Sequence, residues 1–347
     1  MRKRHLIFGW APLLGALTFC ALGLSTYAAP DYWFSDNMSF FLRQLGFGAF
    51  CGIIWGGVLI LTGWIRSRLF KGLTLLTAGG LVLLTLMTTV RTMALSEDPN
   101  SAETPDLKLI SINLERLYLN DKTLTDYLVA QNADILLFQE TFWWQQDRLL
   151  ALDGLTEIAG LGPYPEHLVR GELGQTSIFS KFPITNVEYI EVPASDVRNL
   201  TGYREIVIVD IETPQGPIHL FAVHPNSPRS PTRWQERQNY LDLLTDAVQR
   251  RQQASDSPVI IMGDWNTSPW SRHFFTLLDE TGLNTAFPND IPQTTRFFYD
   301  YRLHWILGAI VDHVAVSDNF QFADVSLGPD VGTDHLPLEV ELQRIVE

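Results

Sequence analysis

The chain has 347 residues, 46% of them hydrophobic, and a net charge of −14, which is ample material for a sizeable core and more than one small domain. So acidic a chain repels polyanions over most of its surface, which disfavours a processive enzyme held on nucleic acid by non-specific charge without excluding a nuclease. Its two cysteines, Cys20 and Cys51, both fall in the apolar amino-terminal part, so the hydrophilic remainder has neither a disulfide framework nor a thiolate metal site.

In chain order, residues 6–24, 45–65 and 73–90 are three apolar stretches, each close to the roughly 20 residues that cross a bilayer. They are apolar on all faces, which predicts membrane spans rather than the striped helices of a soluble core. Up to residue 96, eight basic residues stand against Asp31 and Asp36, a net of +6 that leaves −20 for the rest. Basic residues cluster at 1–5 and at 66–71, whereas the other link, residues 25–41, carries both acids and the aromatics Tyr32, Trp33 and Phe34. The positive-inside rule then puts the amino terminus and the second link in the cytoplasm. With three spans, everything after Arg91 lies outside, giving a multi-pass inner (plasma) membrane protein with a periplasmic or extracellular hydrophilic part. Arg91 on the outer flank runs against this trend. A second reading takes the first span as a signal peptide cleaved after Thr26-Tyr27-Ala28, with the same final orientation.

Residues 96–106, with Glu97, Asp98, Pro99, Glu103 and Pro105, read as a polar tether. The expected organisation is therefore a transmembrane region at 1–95, a linker at 96–106 and a hydrophilic domain at 107–347, without internal repeats. In that domain residues 107–113 alternate as a strand, 122–132 have helical spacing and 133–138 form a buried strand, a crossover unit of right-handed sense. Further strands are expected at 176–180, 205–211, 218–223, 259–262 and 310–316. A long helix is expected at 233–251, with Tyr240, Leu243, Leu244, Ala247 and Val248 on its apolar face. Mixed strands and few long helices imply an α/β fold with helices packed outside central sheets.

Several of these strands run directly into polar residues: Asn113, Glu140, His224 and Asp264. A lone Asp behind an apolar strand is usually a turn or cap, but five motifs in order make that explanation poor. They are Ile112-Asn113-Leu114, Phe138-Gln139-Glu140, Val223-His224-Pro225, Gly263-Asp264-Trp265-Asn266 and Thr333-Asp334-His335. Oxygen donors converging from strand ends suit a hard divalent cation, and with histidines beside them they suit attack of water on phosphorus.

These motifs, in this order and with Asp312 in Val311-Asp312-His313, resemble the endonuclease/exonuclease/phosphatase superfamily over about residues 106–343. The resemblance implies a four-layered α/β sandwich of two packed mixed β-sheets flanked by helices. It implies a metal site at Asn113, Glu140 and Asp334, for Mg²⁺ with Mn²⁺ as the alternative. The catalytic residues it implies are His224, Asp264, Asn266, Asp312 and His335. Asp264 orients the attacking water, Asn266 donates to a phosphoryl oxygen, His224 protonates the leaving oxygen, and Asp312 fixes His335 against the phosphate. Arg204 falls where some relatives bind phosphate, as Asn266 does. His313, His273, His304, His167 and His219 have no such motif and are read as structural.

The expected function is a membrane-anchored, divalent-metal-dependent phosphoester hydrolase using activated water. Its substrate is nucleic acid or, as the alternative, a phospholipid head group cleaved by a phosphatase or sphingomyelinase-like phosphodiesterase. A catalytically silent binding module with the same fold is the rival of another class. No obligate protein partner is expected.

Overall fold

The computed structural model describes residues 2–95, 105–115, 123–141, 167–195 and 202–345. Most of the expected tether (96–104) and Lys122 at the head of the expected crossover helix lie outside the described residues. Two compact units emerge, Met1–Ala94 with Ser268–Arg272, and Leu95–Thr267 with His273–Glu347.

The first unit contains α1 (Arg2–Ala28), α2 (Trp33–Met38), a 3₁₀ turn (Ser39–Phe41), α3 (Leu42–Leu61) and α4 (Arg68–Leu95). Three stretches, Phe8–Ala28, Trp33–Leu61 and Arg68–Leu95, are long and apolar enough to cross a membrane. Leu13, Leu59 and Phe70 form its buried centre, while Phe47, Leu75 and Val82 are turned outward, an arrangement suited to lipid rather than water. At Gly52 a Cβ would come within 2.5 Å of Ala16 Cβ and 2.7 Å of Pro12 O, so α1 and α3 meet through a residue that has to be small. The second stretch was expected to run to residue 65, but its helix stops at Leu61. Gly63 turns the chain at φ 71°, a left-handed conformation that commonly ends a helix.

The second unit begins with β1 (Leu107–Asn113), α5 (Thr123–Gln131), β2 (Ile135–Gln139), β3 (Leu168–Arg170) and β4 (Thr176–Ser180). It continues with β5 (Ile184–Pro193), β6 (Tyr203–Thr213), β7 (Gly216–Val223), α6 (Pro231–Ala254), β8 (Val259–Asp264) and α7 (Arg272–Thr281). Short strands β9 (Asn284–Thr285), β10 (Arg296–Phe297) and β11 (Gly308–Ala309) precede β12 (Asp312–Val316), β13 (Phe320–Leu327) and β14 (Leu338–Arg344). Two six-stranded mixed sheets result, ordered β13-β14-β1-β2-β4-β3 and β5-β6-β7-β8-β12-β9.

The side-chain alternation of strands, period two, explains the layering. In β1, Leu107 and Leu109 enter the core between the sheets, with Leu137, Leu220, Met262 and Val314, while Ile110 and Ile112 face outward to Leu124 and Leu128 of α5. In β8, Ile260 and Met262 point inward, and Val259 and Ile261 meet Tyr240, Leu244 and Val248 of α6. The order is therefore helix, sheet, sheet, helices. Helix α6 starts at a Ser230 cap that accepts from Arg233 N, with Pro231 in its first turn. Leu241 takes the place on its buried face that was expected for Leu243, which is 37% exposed.

Candidate active site

Strand pairing brings the motifs to one edge. β1 and β2 are parallel in one sheet and β7 and β8 in the other, and the bond from Asn113 Nδ2 to Asp264 Oδ2 brings the carboxy ends of the two pairs together. β12 runs antiparallel to β8 and starts with Asp312 directly opposite Asp264. Because Val314 and Val316 point into the inter-sheet core, Asp312 points the same way and His313 points to the helices. His313 packs 4.7 Å from the Phe274 ring, and its Nε2 lies 2.8 Å from Thr267 O. Burial lowers its pKa to about 4, so it is neutral at physiological pH.

Asp264 is the hub. Its Oδ2 accepts from Asn113 Nδ2 at 3.1 Å and from Asn266 Nδ2 at 3.3 Å, and Oδ1 accepts from Asn266 N at 2.9 Å. The same Oδ2 lies 3.7 Å from His224 Nε2 and 3.8 Å from His335 Nε2. Burial, then the charge of Asp312, pushes the Asp264 carboxyl up to about 7, against the pull of His335 and Arg296. Asn266 Nδ2 also donates to Pro225 O at 3.0 Å, so its amide hydrogens are spent on holding Asp264 and the loop after β7.

The two histidines differ in their partners. His335 Nδ1 lies 2.9 Å from Asp312 Oδ2. Burial acts to lower the His335 pKa, but the charge and hydrogen bond of Asp312, with Asp264, raise it to about 9. Nδ1 of His224 lies 3.1 Å from Arg204 Nη1. A guanidinium only donates, so this nitrogen accepts, and the ring hydrogen sits on Nε2, 3.5 Å from Glu140 Oε1. Arg204 also donates to Asn226 Oδ1 at 2.9 Å and Gln175 Oε1 at 3.3 Å. Its geometry here is that of a support for His224.

Two of the site residues have left-handed backbone, Glu140 (φ 59°) and Asn266 (φ 46°), each at a cost of about 1–2 kcal/mol. Gly263 has φ 144°, and a Cβ there would collide with Val223 O, so the glycine before Asp264 is a steric requirement of the β7–β8 pair.

Several contributors escaped the sequence reading. Arg296 Nη2 bridges Glu115 Oε2 at 3.0 Å and Asp334 Oδ2 at 3.1 Å. Thr295 Oγ1 accepts from Val311 N and Asp312 N. From α6, Arg237 donates to Asn266 O at 2.8 Å, and Tyr240 Oη accepts from His224 N at 3.0 Å. Glu115 directly follows the Ile112-Asn113-Leu114 motif and was within reach of pattern reading. The other four sit in unremarkable local sequence.

A divalent cation fits this donor set. Carboxylate and amide oxygens predominate, and Asp312 Oδ1 is buried without a hydrogen-bond partner. Asp264, Asp312 and His335 bring one donor atom each within 4.8 Å of one another. His335 Nδ1 is already engaged by Asp312 Oδ2 at 2.9 Å, so the trio also forms a hydrogen-bonding relay.

The family model described as Endonuclease/Exonuclease/phosphatase family matches residues 110–335. Among curated proteins none matches. The mannosyl-6-phosphatase of Bacteroides thetaiotaomicron is similar at TM-score 0.50 and 16% identity, over 68% of this chain and 99% of its own. An endonuclease/exonuclease/phosphatase family protein of the same organism gives TM-score 0.51 at 16% identity, over 69% and 98%. The catalytic domain of human Nocturnin with bound sulfate anion gives 0.52 at 16% identity, over 70% and 96%. At these identities the likeness is one of fold.

Proposed function

The chain belongs to the endonuclease/exonuclease/phosphatase family, and from that premise we propose a membrane-anchored, divalent-cation-dependent hydrolase of phosphoester bonds. The observation that supports this best is the convergence of Asn113, Asn266, His224 and His335 on one oxygen, Asp264 Oδ2. Four polar side chains from separate segments meeting on a buried carboxylate serve no packing purpose. They suit a group that must be aimed.

Glu140, Asn113 and Asp334 would hold the cation, Mg²⁺ or Mn²⁺. When bound, such an ion draws charge from the phosphoryl oxygens and favours attack at phosphorus. Asp264 orients the attacking water and takes its proton as the new P–O bond forms. Asn113 and Asn266 keep that carboxylate in one rotamer. His335, protonated and held by Asp312, stabilises charge developing on a phosphoryl oxygen. His224 presents Nε2–H to the leaving oxygen as the old P–O bond breaks, and Arg204 fixes that tautomer.

The basic flanks of the apolar stretches support an orientation with this chemistry outside the membrane, on a domain at 107–347 joined by the 96–106 linker. Nucleic acid is one substrate class. An anionic lipid head group is the second reading, favoured by a groove of about 410 Å³ within the first unit. Arg43 lines it together with Phe47, Phe50, Leu81 and Leu84. The test uses full-length protein in detergent with Mg²⁺ against plasmid DNA, RNA, sphingomyelin and phosphatidylglycerol vesicles, and a chromogenic phosphodiester. Turnover of any of these that disappears in Asp264→Ala supports the proposal, and a silent binding module would turn over none.

A further inference from the structure

Arg296 is a buried guanidinium that no motif announces, and it lies among the acids of the site. A single nitrogen, Nη2, contacts Glu115 Oε2 at 3.0 Å and Asp334 Oδ2 at 3.1 Å. Asp264 and Glu140 also act on it electrostatically. The backbones of both bridged residues are held by other contacts. Glu115 N donates to Asn113 Oδ1 at 2.9 Å, and Phe297 N donates to Asp334 O at 2.9 Å beside an isolated bridge between Arg296 and His335. The side chain is 10% exposed, and its Nε is buried without a hydrogen-bond partner. A guanidinium placed for recognition usually engages a carboxylate with two donors in a fork. Here one nitrogen serves two carboxylates, as a point charge would.

We propose that Arg296 occupies the position of a second divalent cation, bridging Glu115 and Asp334, so that the site needs one ion fewer than its carboxylates could hold. Charge counting supports this. With the Asp312–His335 pair neutral overall, Glu115, Glu140, Asp264 and Asp334 carry four negative charges when ionised. Arg296 and one divalent ion leave a single negative charge, whereas without Arg296 two divalent ions are needed for balance. Two-metal phosphoesterases clamp both the attacking and leaving oxygens with ions. In this chain a fixed side chain supplies one positive charge where a second ion would supply two, and it cannot be removed by chelation.

The inference rests on the reading of the site as cation-binding, and the experiment separates the two. Mn²⁺ bound to full-length protein in detergent is counted by electron paramagnetic resonance, and thermal unfolding is followed with and without Mn²⁺. Arg296→Met should bind one more Mn²⁺ than the wild type and gain more thermal stability from it. Arg296→Lys, which keeps a point charge, should show the wild-type count, as should Glu115→Gln/Arg296→Met. Equal counts in Arg296→Met and the wild type overturn the inference while leaving the hydrolase reading intact. So does an Arg296→Met variant that stays unfolded at saturating Mn²⁺, because an ion in that position should restore the missing charge. A wild type that binds none while Arg296→Met binds one would uphold the inference and sink the cation-dependent mechanism.

Discussion

Asp264 and Asp312 stand directly opposite each other across the antiparallel β8–β12 pair, two carboxylates on one face of a sheet. Like charges so placed are normally destabilising. His335 offsets the repulsion by lying between them, with Nδ1 2.9 Å from Asp312 Oδ2 and Nε2 3.8 Å from Asp264 Oδ2. Burial first, and then the charge of Asp312, raise the Asp264 carboxyl to about 7. The arrangement pays in stability for an imidazole that stays protonated beside a carboxylate able to accept a proton.

Asp312→Asn should keep the shape of the pair and lose its charge. We expect kcat to fall about 10²–10⁴-fold, the scale seen when a carboxylate orienting a catalytic imidazole is replaced by an amide, with little change in KM. Steady-state kinetics on a chromogenic phosphodiester checks the split. A rise in KM at unchanged kcat would place Asp312 in binding instead.

The pH dependence follows from His335. Its folded-state pKa is raised to about 9, so its proton is held below that value and lost above it. Activity should fall as pH rises through about 9, and the stability from this group should be lost over the same rise. In Asp312→Asn the alkaline limb should move toward the ordinary histidine value of about 6.5. A pH–rate profile reads this directly.

His313 predicts the opposite sign at the other end of the scale. Burial depresses its pKa from 6.5 to about 4, so the unfolded chain binds the proton first. Stability should drop as pH falls from about 6.5 to 4, by up to roughly 3 kcal/mol from this group. Denaturation followed by circular dichroism should show a flatter acid limb in His313→Phe. An unchanged slope would mean that some other group carries the acid sensitivity.

Gly263→Ala should destabilise the second unit by about 2–4 kcal/mol, through a left-handed φ and a collision with Val223 O. Calorimetry of the variant measures it. An unchanged melting temperature would contradict the steric reading.

Much of the architecture was legible because apolar runs ended in polar motifs. The run 107–113 is β1, and 176–180 is β4. Strands β5, β13 and β14 were missed because they alternate charged with apolar residues and are half-exposed, as in Phe320–Leu327. Helix α7 was missed because Phe274, Leu277 and Leu278 give only a short stripe. In the site, Asp264 and Asp312 could be named but not their pairing, which depends on register. Arg296 was invisible because its partners lie 181 and 38 residues away, and no local spacing encodes such a bridge.

On the proposed reading, Glu140, Asp264 and His335 serve one cation-assisted reaction at phosphorus. Turnover of a chromogenic phosphodiester by full-length protein, with Mg²⁺ and after chelation, tests it most directly alongside Glu140→Ala, Asp264→Ala and His335→Ala. Activity should be lost on chelation and should fall at least about 10²-fold in each variant. Turnover that survives chelation and all three substitutions would contradict it.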